Sequence, residues 1–105
     1  MPQYDVFENP TAAQREGFPF LVVLQSDQFD QFTTRFVMPL ARARVPAGVL
    51  PRRLSQTVDV RGEPLYPAAH LCGTLPSRIL KKPVASLRSE ARVLIDALDA
   101  VVSGV

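Results

Sequence analysis

The last twenty residues constrain what the rest of this chain can fold into. In "SLRSEARVLIDALDAVVSGV" (86–105), Leu87, Ala91, Leu94, Leu98, Val101 and Val105 recur at alternating steps of four and three, which lines one face of a helix. Ser86 follows Pro83 closely and is placed to satisfy an early free N–H with its hydroxyl. Arg92, Asp96, Asp99 and Ser103 fall on another face and are expected to meet solvent. The chain before this helix is heavily punctuated. Ten prolines against five glycines favour short strands and stiff turns over a helical bundle.

"YDVFE" (4–8) and "FPFLVVLQS" (18–26) read as strands, the second too continuously apolar to be half exposed. "NPTAAQREG" between them is a long hairpin loop. "TTRFVMPLAR" (33–42) is a third strand, and Pro39 inside it implies an edge or a bulge. Residues 44–51 are a connection. "RLSQTVDV" (53–60) and "PLYPAAHL" (64–71), joined by "RGE", form a hairpin. "GTLPSRILKKP" (73–83) reads as a short turn followed by a strand at "SRIL". Four or five strands and then one terminal helix predict an α+β domain, mainly antiparallel. At 105 residues, 47% of them hydrophobic, the whole of 1–105 is one domain with a small core.

No stretch approaches the roughly 20 apolar residues of a membrane span. "MPQYDVFENP" lacks a basic segment followed by an apolar run, so no secretory signal is expected. The single cysteine, Cys72, forms no internal disulfide, and together these features point to the cytoplasm. The net charge of +2 hides an asymmetry. Residues 1–34 carry five acids against Arg15, a balance of −4, whereas residues 35–92 carry eleven bases against Asp59, Glu63 and Glu90, a balance of +8. Such a basic middle is a nucleic-acid footprint, a docking surface for an acidic partner, or a solvated face.

The inventory for catalysis is thin. His70 and Cys72 are close in sequence, but no Asp or Glu lies nearby to orient the imidazole as a base. One Cys and one His fall short of the about four ligands of a zinc site. There is no glycine-rich phosphate loop and no Gly-x-Ser-x-Gly elbow. No metal or cofactor is expected, and the residues point to a binding protein rather than an enzyme.

"VVLQSDQFDQFTTRFVMPLARA" (22–43) resembles the second and third strands of the CcdB toxins, poisons of DNA gyrase found in plasmid and chromosomal toxin–antitoxin modules. The carrying residues are Gln25-Ser26-Asp27, Arg35 and Val37-Met38-Pro39-Leu40-Ala41. The likeness continues through "LYPAAHLCG" and through a terminal helix closing on x-Gly-aliphatic. It implies an SH3-like barrel shared with MazF and Kid, built as a five-stranded antiparallel sheet, a small extra sheet and a C-terminal helix. It also implies a homodimer that is not an enzyme, and a target in the dimerisation region of the gyrase A subunit, which is trapped on cleaved DNA. A small CcdA-like antitoxin with an acidic, disordered segment displaces the toxin from gyrase. The two together repress their own operon, so DNA is met only indirectly.

In that family the final Trp-Gly-Ile is the principal gyrase contact, and it aligns with Ser103, Gly104 and Val105. Asp99 and Val102, with Gln28 and Phe29 after the "QSD", are implied as further contacts. Arg42, Arg44, Arg52 and Arg53 flank the 44–51 connection and are expected to receive the acidic antitoxin segment. Serine in place of tryptophan removes a large rigid anchor. This leaves open a homologue with weak or lost gyrase poisoning that is retained for antitoxin binding. A MazF/Kid-like endoribonuclease would have to use His70 with Arg35.

Overall fold

The computed structural model describes residues 2–29, 31–42 and 56–103. Seven strands occur among these residues: β1 (Asp5–Glu8), β2 (Phe20–Val23), β3 (Thr34–Ala41), β4 (Val58–Val60), β5 (Glu63–Pro67), β6 (Gly73–Pro76) and β7 (Ala85–Ser86). One helix follows, α1 (Ala91–Ser103). The pairings are all antiparallel and give a nearly closed, barrel-like sheet in the order β4-β5-β3-β2-β1-β7, with β6 also on β3. This is the α+β architecture expected, with more strands than the four or five read from the sequence.

Alternation along the central strands separates two cores. Val6, Val22, Met38 and Leu40 face one side, where Leu87, Leu94 and Ala97 cover them. Phe7, Leu21, Val23 and Val37 face the other, where Leu80 closes a smaller cluster. Residues 21–23 are buried on both faces, at 5%, 0% and 0% exposure, as a continuous apolar run requires.

Pro39 is not on a sheet edge, nor does a bulge mark it. It lies within β3 opposite Leu21 of β2. Its carbonyl accepts from the Ala68 N–H at 2.9 Å, so its missing N–H points to the same side, away from β2. On that side β6 pairs with β3 as far as Val37, and β5 takes over from Leu40. The proline occupies the gap between two successive partners, where no donor is needed.

The segment after β5 inverts the expectation. Residues 73–76, read as a turn, form β6 with Leu75 opposite Arg35, while "SRIL" forms a 3-10 turn at Ser77–Ile79. Leu80 is the residue of that run that buries, at 4%. Residues 69–71, read as the end of a strand, are also a 3-10 turn.

The hairpin of β4 and β5 has a two-residue loop, because Val60 pairs with Glu63. Arg61 and Gly62 have φ of 53° and 84°, the left-handed pair that matches strand twist. A Cβ on Gly62 meets nothing within 4 Å, so its cost is conformational. Gly62→Ala is expected to lower stability by about 1–2 kcal/mol, whereas Arg61→Asn raises it; thermal unfolding of both variants checks the pair.

The helix is entered later than its pattern suggests. Leu87 is non-helical, at φ −108° and ψ 23°, and Arg88–Glu90 form a 3-10 turn first. Ser86 does serve this entry, its hydroxyl accepting from the Arg88 N–H at 3.3 Å, but it belongs to β7. The buried stripe runs through Leu94, Ala97 and Ala100. Ala91 and Leu98 are half-buried and Val101 is 40% exposed. Counting the period from Leu87 placed the stripe's phase wrongly. Ala97 joins Leu94 in the main core cluster, beside the 3-10 turn Ala69–Leu71 that the helix packs against. Asp96, expected in solvent, is half-buried, while Arg92, Asp99 and Ser103 are exposed.

Candidate functional site

The last turn of α1 stands clear of the body. Ala100 is 7% exposed, but Val101 rises to 40% and Val102 to 77%, and Asp99 and Ser103 are exposed beside them. The Ser103 hydroxyl donates to the Asp99 carbonyl one turn back, at 2.6 Å. The helix packs against the 3-10 turn Ala69–Leu71, whose Leu71 is 47% exposed. Asp99, Val102 and Ser103 therefore share one exposed turn, rooted by the buried Leu94, Ala97 and Ala100. Gly104 and Val105 lie outside the described residues.

The "QSD" residues do structural work. The Gln25 side-chain oxygen accepts from the Phe36 N–H at 3.2 Å, and its amide donates to the Thr34 carbonyl at 3.3 Å, which ties the end of β2 to β3. The Asp27 carboxylate accepts from the Gln3 N–H at 2.6 Å, and the Gln3 amide donates to the Leu24 carbonyl at 2.9 Å. Gln28 is exposed in the 3-10 turn Asp27–Phe29 that these bonds hold. Phe29 is placed in that turn by its backbone.

Residues near the N-terminus connect this turn to the helix, a link no local pattern announces. Arg88 donates to the Gln3 carbonyl at 3.2 Å and lies 5.9 Å from the Tyr4 ring centroid, within cation–π range. Tyr4 has φ 72°. It is held there by its N–H on the Val23 carbonyl at 2.7 Å and by the Leu87 N–H on its own carbonyl at 2.8 Å. Asp5, 9% exposed, follows directly. Burial raises its pKa from the ordinary 3.8, and the positive charges of the N-terminus and Arg88 oppose the rise. The native state then holds this proton more tightly than the unfolded chain, so stability falls as pH rises from 3.8 through the raised value. Asp5→Asn should match the parent protein at acid pH and exceed its urea midpoint at neutral pH.

Of the four arginines expected to meet an acidic partner, Arg42 is described and Arg44, Arg52 and Arg53 lie outside the described residues. Arg42 pairs with Glu63 at 2.6 Å and donates to the Glu16 carbonyl at 3.1 Å, so it bridges the β1–β2 loop and β5. Its side chain remains 47% exposed.

The candidate catalytic groups are poorly set. His70 is exposed on the 69–71 turn. Burial pushes the Cys72 thiol up to about 11, the reverse of what a thiolate nucleophile needs. Arg35 is 6% exposed, with its guanidinium donating to the carbonyls of Phe32 and, at 2.8 Å, Thr34. Among the described residues no three His, Cys, Asp or Glu side chains gather as metal ligands. No described helix is long and apolar enough to cross a membrane.

The sequence model of a family described as CcdB protein matches residues 3–104. No curated protein matches the chain at a significant level.

Proposed function

Because the chain belongs to the CcdB family, and so to the toxins of toxin–antitoxin systems, we propose that it acts as a homodimeric poison of DNA gyrase. In this reading it works in the cytoplasm, binds the gyrase A subunit and holds the enzyme on cleaved DNA, with no catalytic step or cofactor of its own. The observation that carries the reading is the exposed last turn of α1, where Asp99, Val102 and Ser103 project together from a buried root. A ligand fixed on a helix loses little conformational freedom on binding, and Gly104, Val105, Gln28 and Phe29 complete the contact. A CcdA-like antitoxin lays an acidic segment on Arg42, Arg44, Arg52 and Arg53, displaces the toxin, and represses the operon with it.

Ser103 favours a second reading, in which gyrase binding is weak and antitoxin binding persists. Its side chain is small, and its hydroxyl is turned back onto the helix. A tryptophan at such a position is typically worth more than about 2 kcal/mol, roughly thirtyfold in affinity. The test is a gyrase supercoiling and cleavage assay with the parent chain and Ser103→Trp. Ser103→Trp should trap cleaved DNA at a concentration lower by about that factor. Absence of trapped DNA with both proteins would exclude poisoning and leave the antitoxin-binding reading.

A further inference from the structure

The 3-10 turn Asp27–Phe29 follows β2, whose register with β3 ends at Val23. Gln25 ties the start of this stretch to β3, and the turn itself is reached from the other side by Gln3. The Gln3 N–H donates to the Asp27 carboxylate at 2.6 Å, and its side-chain amide donates to the Leu24 carbonyl at 2.9 Å. The two bonds bracket residues 25–26. A hold at two points fixes the direction in which the turn projects, where a single bond would leave it free to swivel.

Gln3 is itself fixed by charge. Arg88 donates to its carbonyl at 3.2 Å, so the Gln3 backbone lies between a guanidinium on one side and a carboxylate on the other. Hydrogen bonds to ionised partners are roughly twice as strong as neutral ones. The Asp5 carboxyl feels both the Arg88 cation and the Asp27 anion, which places the three charges in one cluster. Tyr4, next in the chain, has φ 72°, a region that a bulky side chain keeps only where its surroundings impose it. The Val23 carbonyl, the Leu87 N–H and the Arg88 guanidinium over its ring do so here. With Tyr4 turned in this way, Gln3 meets Asp27 and Arg88 at once.

We infer that Arg88 and Asp27, acting through Gln3, are positioning residues for the Asp27–Phe29 turn. They set where Gln28 and Phe29 are carried relative to the body of the protein. Arg88 belongs to the 3-10 turn Arg88–Glu90 through which α1 is entered, so one residue registers the loop against the root of the helix. That Gln28 and Phe29 then meet gyrase rests on the function proposed above; the positioning of their turn does not.

The test is amide relaxation by NMR on the full chain, free in solution. In the parent protein the Gln28 and Phe29 amides should show order parameters of about 0.85, as rigid backbone does. Arg88→Ala should lower them below about 0.6, although the bond and ring contact of Arg88 are to Gln3 and Tyr4 and not to the turn. Asp27→Ala should do the same. The double variant should be no looser than either single one, because both break one connection. Arg88→Lys, which keeps a cation and a donor, should stay near the parent. Arg92→Ala, at an exposed position in the first turn of α1, should change nothing, and urea midpoints check that every variant is folded. The inference is overturned if the turn stays rigid in Arg88→Ala, if Arg88→Lys loosens it as much, or if Arg92→Ala does so equally. A second arm titrates each protein with the gyrase A subunit, where Arg88→Ala should bind about tenfold more weakly because the contact is no longer preorganised. Equal binding by parent and Arg88→Ala would also overturn the positioning role. No binding by the parent would count against the gyrase reading alone, and the relaxation result would then decide the inference.

Discussion

Removing Ser103, Gly104 and Val105 is expected to abolish growth arrest in a bacterial host while leaving the fold in place. Ser103 is exposed, and the hydrogen bond it contributes within α1 returns to the helix's own Asp99 carbonyl. Surface changes of this kind usually alter stability by no more than about 0.5 kcal/mol. The buried stripe of Leu94, Ala97 and Ala100 stays complete. The proposed contact, in contrast, loses its centre, and losing a hot spot there costs about 2 kcal/mol or more. Induced expression with growth curves, paired with thermal unfolding and a dimerisation measurement, gives the answer. Arrest that persists in a folded, dimeric truncated protein would show that these residues are not the ligand.

Leu94→Ala should act in the opposite way, through the fold. Leu94 is fully buried, in the cluster that joins α1 to Val6, Val22 and Leu40. Truncating such a leucine costs about 3–5 kcal/mol when the surroundings cannot collapse into the space. The close-packed cluster around Leu94, built from strand residues together with Ala69 and Leu87, resists such collapse. Against a total stability of about 5–15 kcal/mol, the loss leaves a marginal or unfolded protein. Leu98→Ala, at a half-buried position, should cost less than half as much. Urea unfolding of the two variants separates them, and equal midpoints would mean that α1 packs through a different face.

The helix, the hairpin and the buried second strand were legible in the sequence because each is announced locally. A period of three and four, "RG" between alternating strands, and "FLVV" all act within a few residues. The helix phase was misread because Leu87 looks like its first apolar position, and only the turn in the backbone at Leu87 shows that the helix has not begun. "GTLP" and "SRIL" exchanged roles for a similar reason: β6 exists because β3 offers it an edge, which a short apolar run cannot reveal. Pro39 was read by its intrinsic chemistry, whereas its tolerance depends on where two other strands stop and start. At the candidate site, the outward position of Asp99 and Ser103 followed from periodicity. The hold of Gln3 on Asp27, and of Arg88 on Gln3 and Tyr4, joins distant parts of the chain and leaves no local mark.

The pairing of β1 with β7 sets a schedule for synthesis. Asp5 and Val6 find their outer neighbours in Ser86 and Ala85, so residues 5–6 must wait in synthesis for residues 85–86. Contacts of such long separation form slowly. A nascent polypeptide whose residues beyond 84 are still inside the ribosome has neither this closing strand nor the helix that follows it. Until they emerge, β1 keeps an unpaired outer edge.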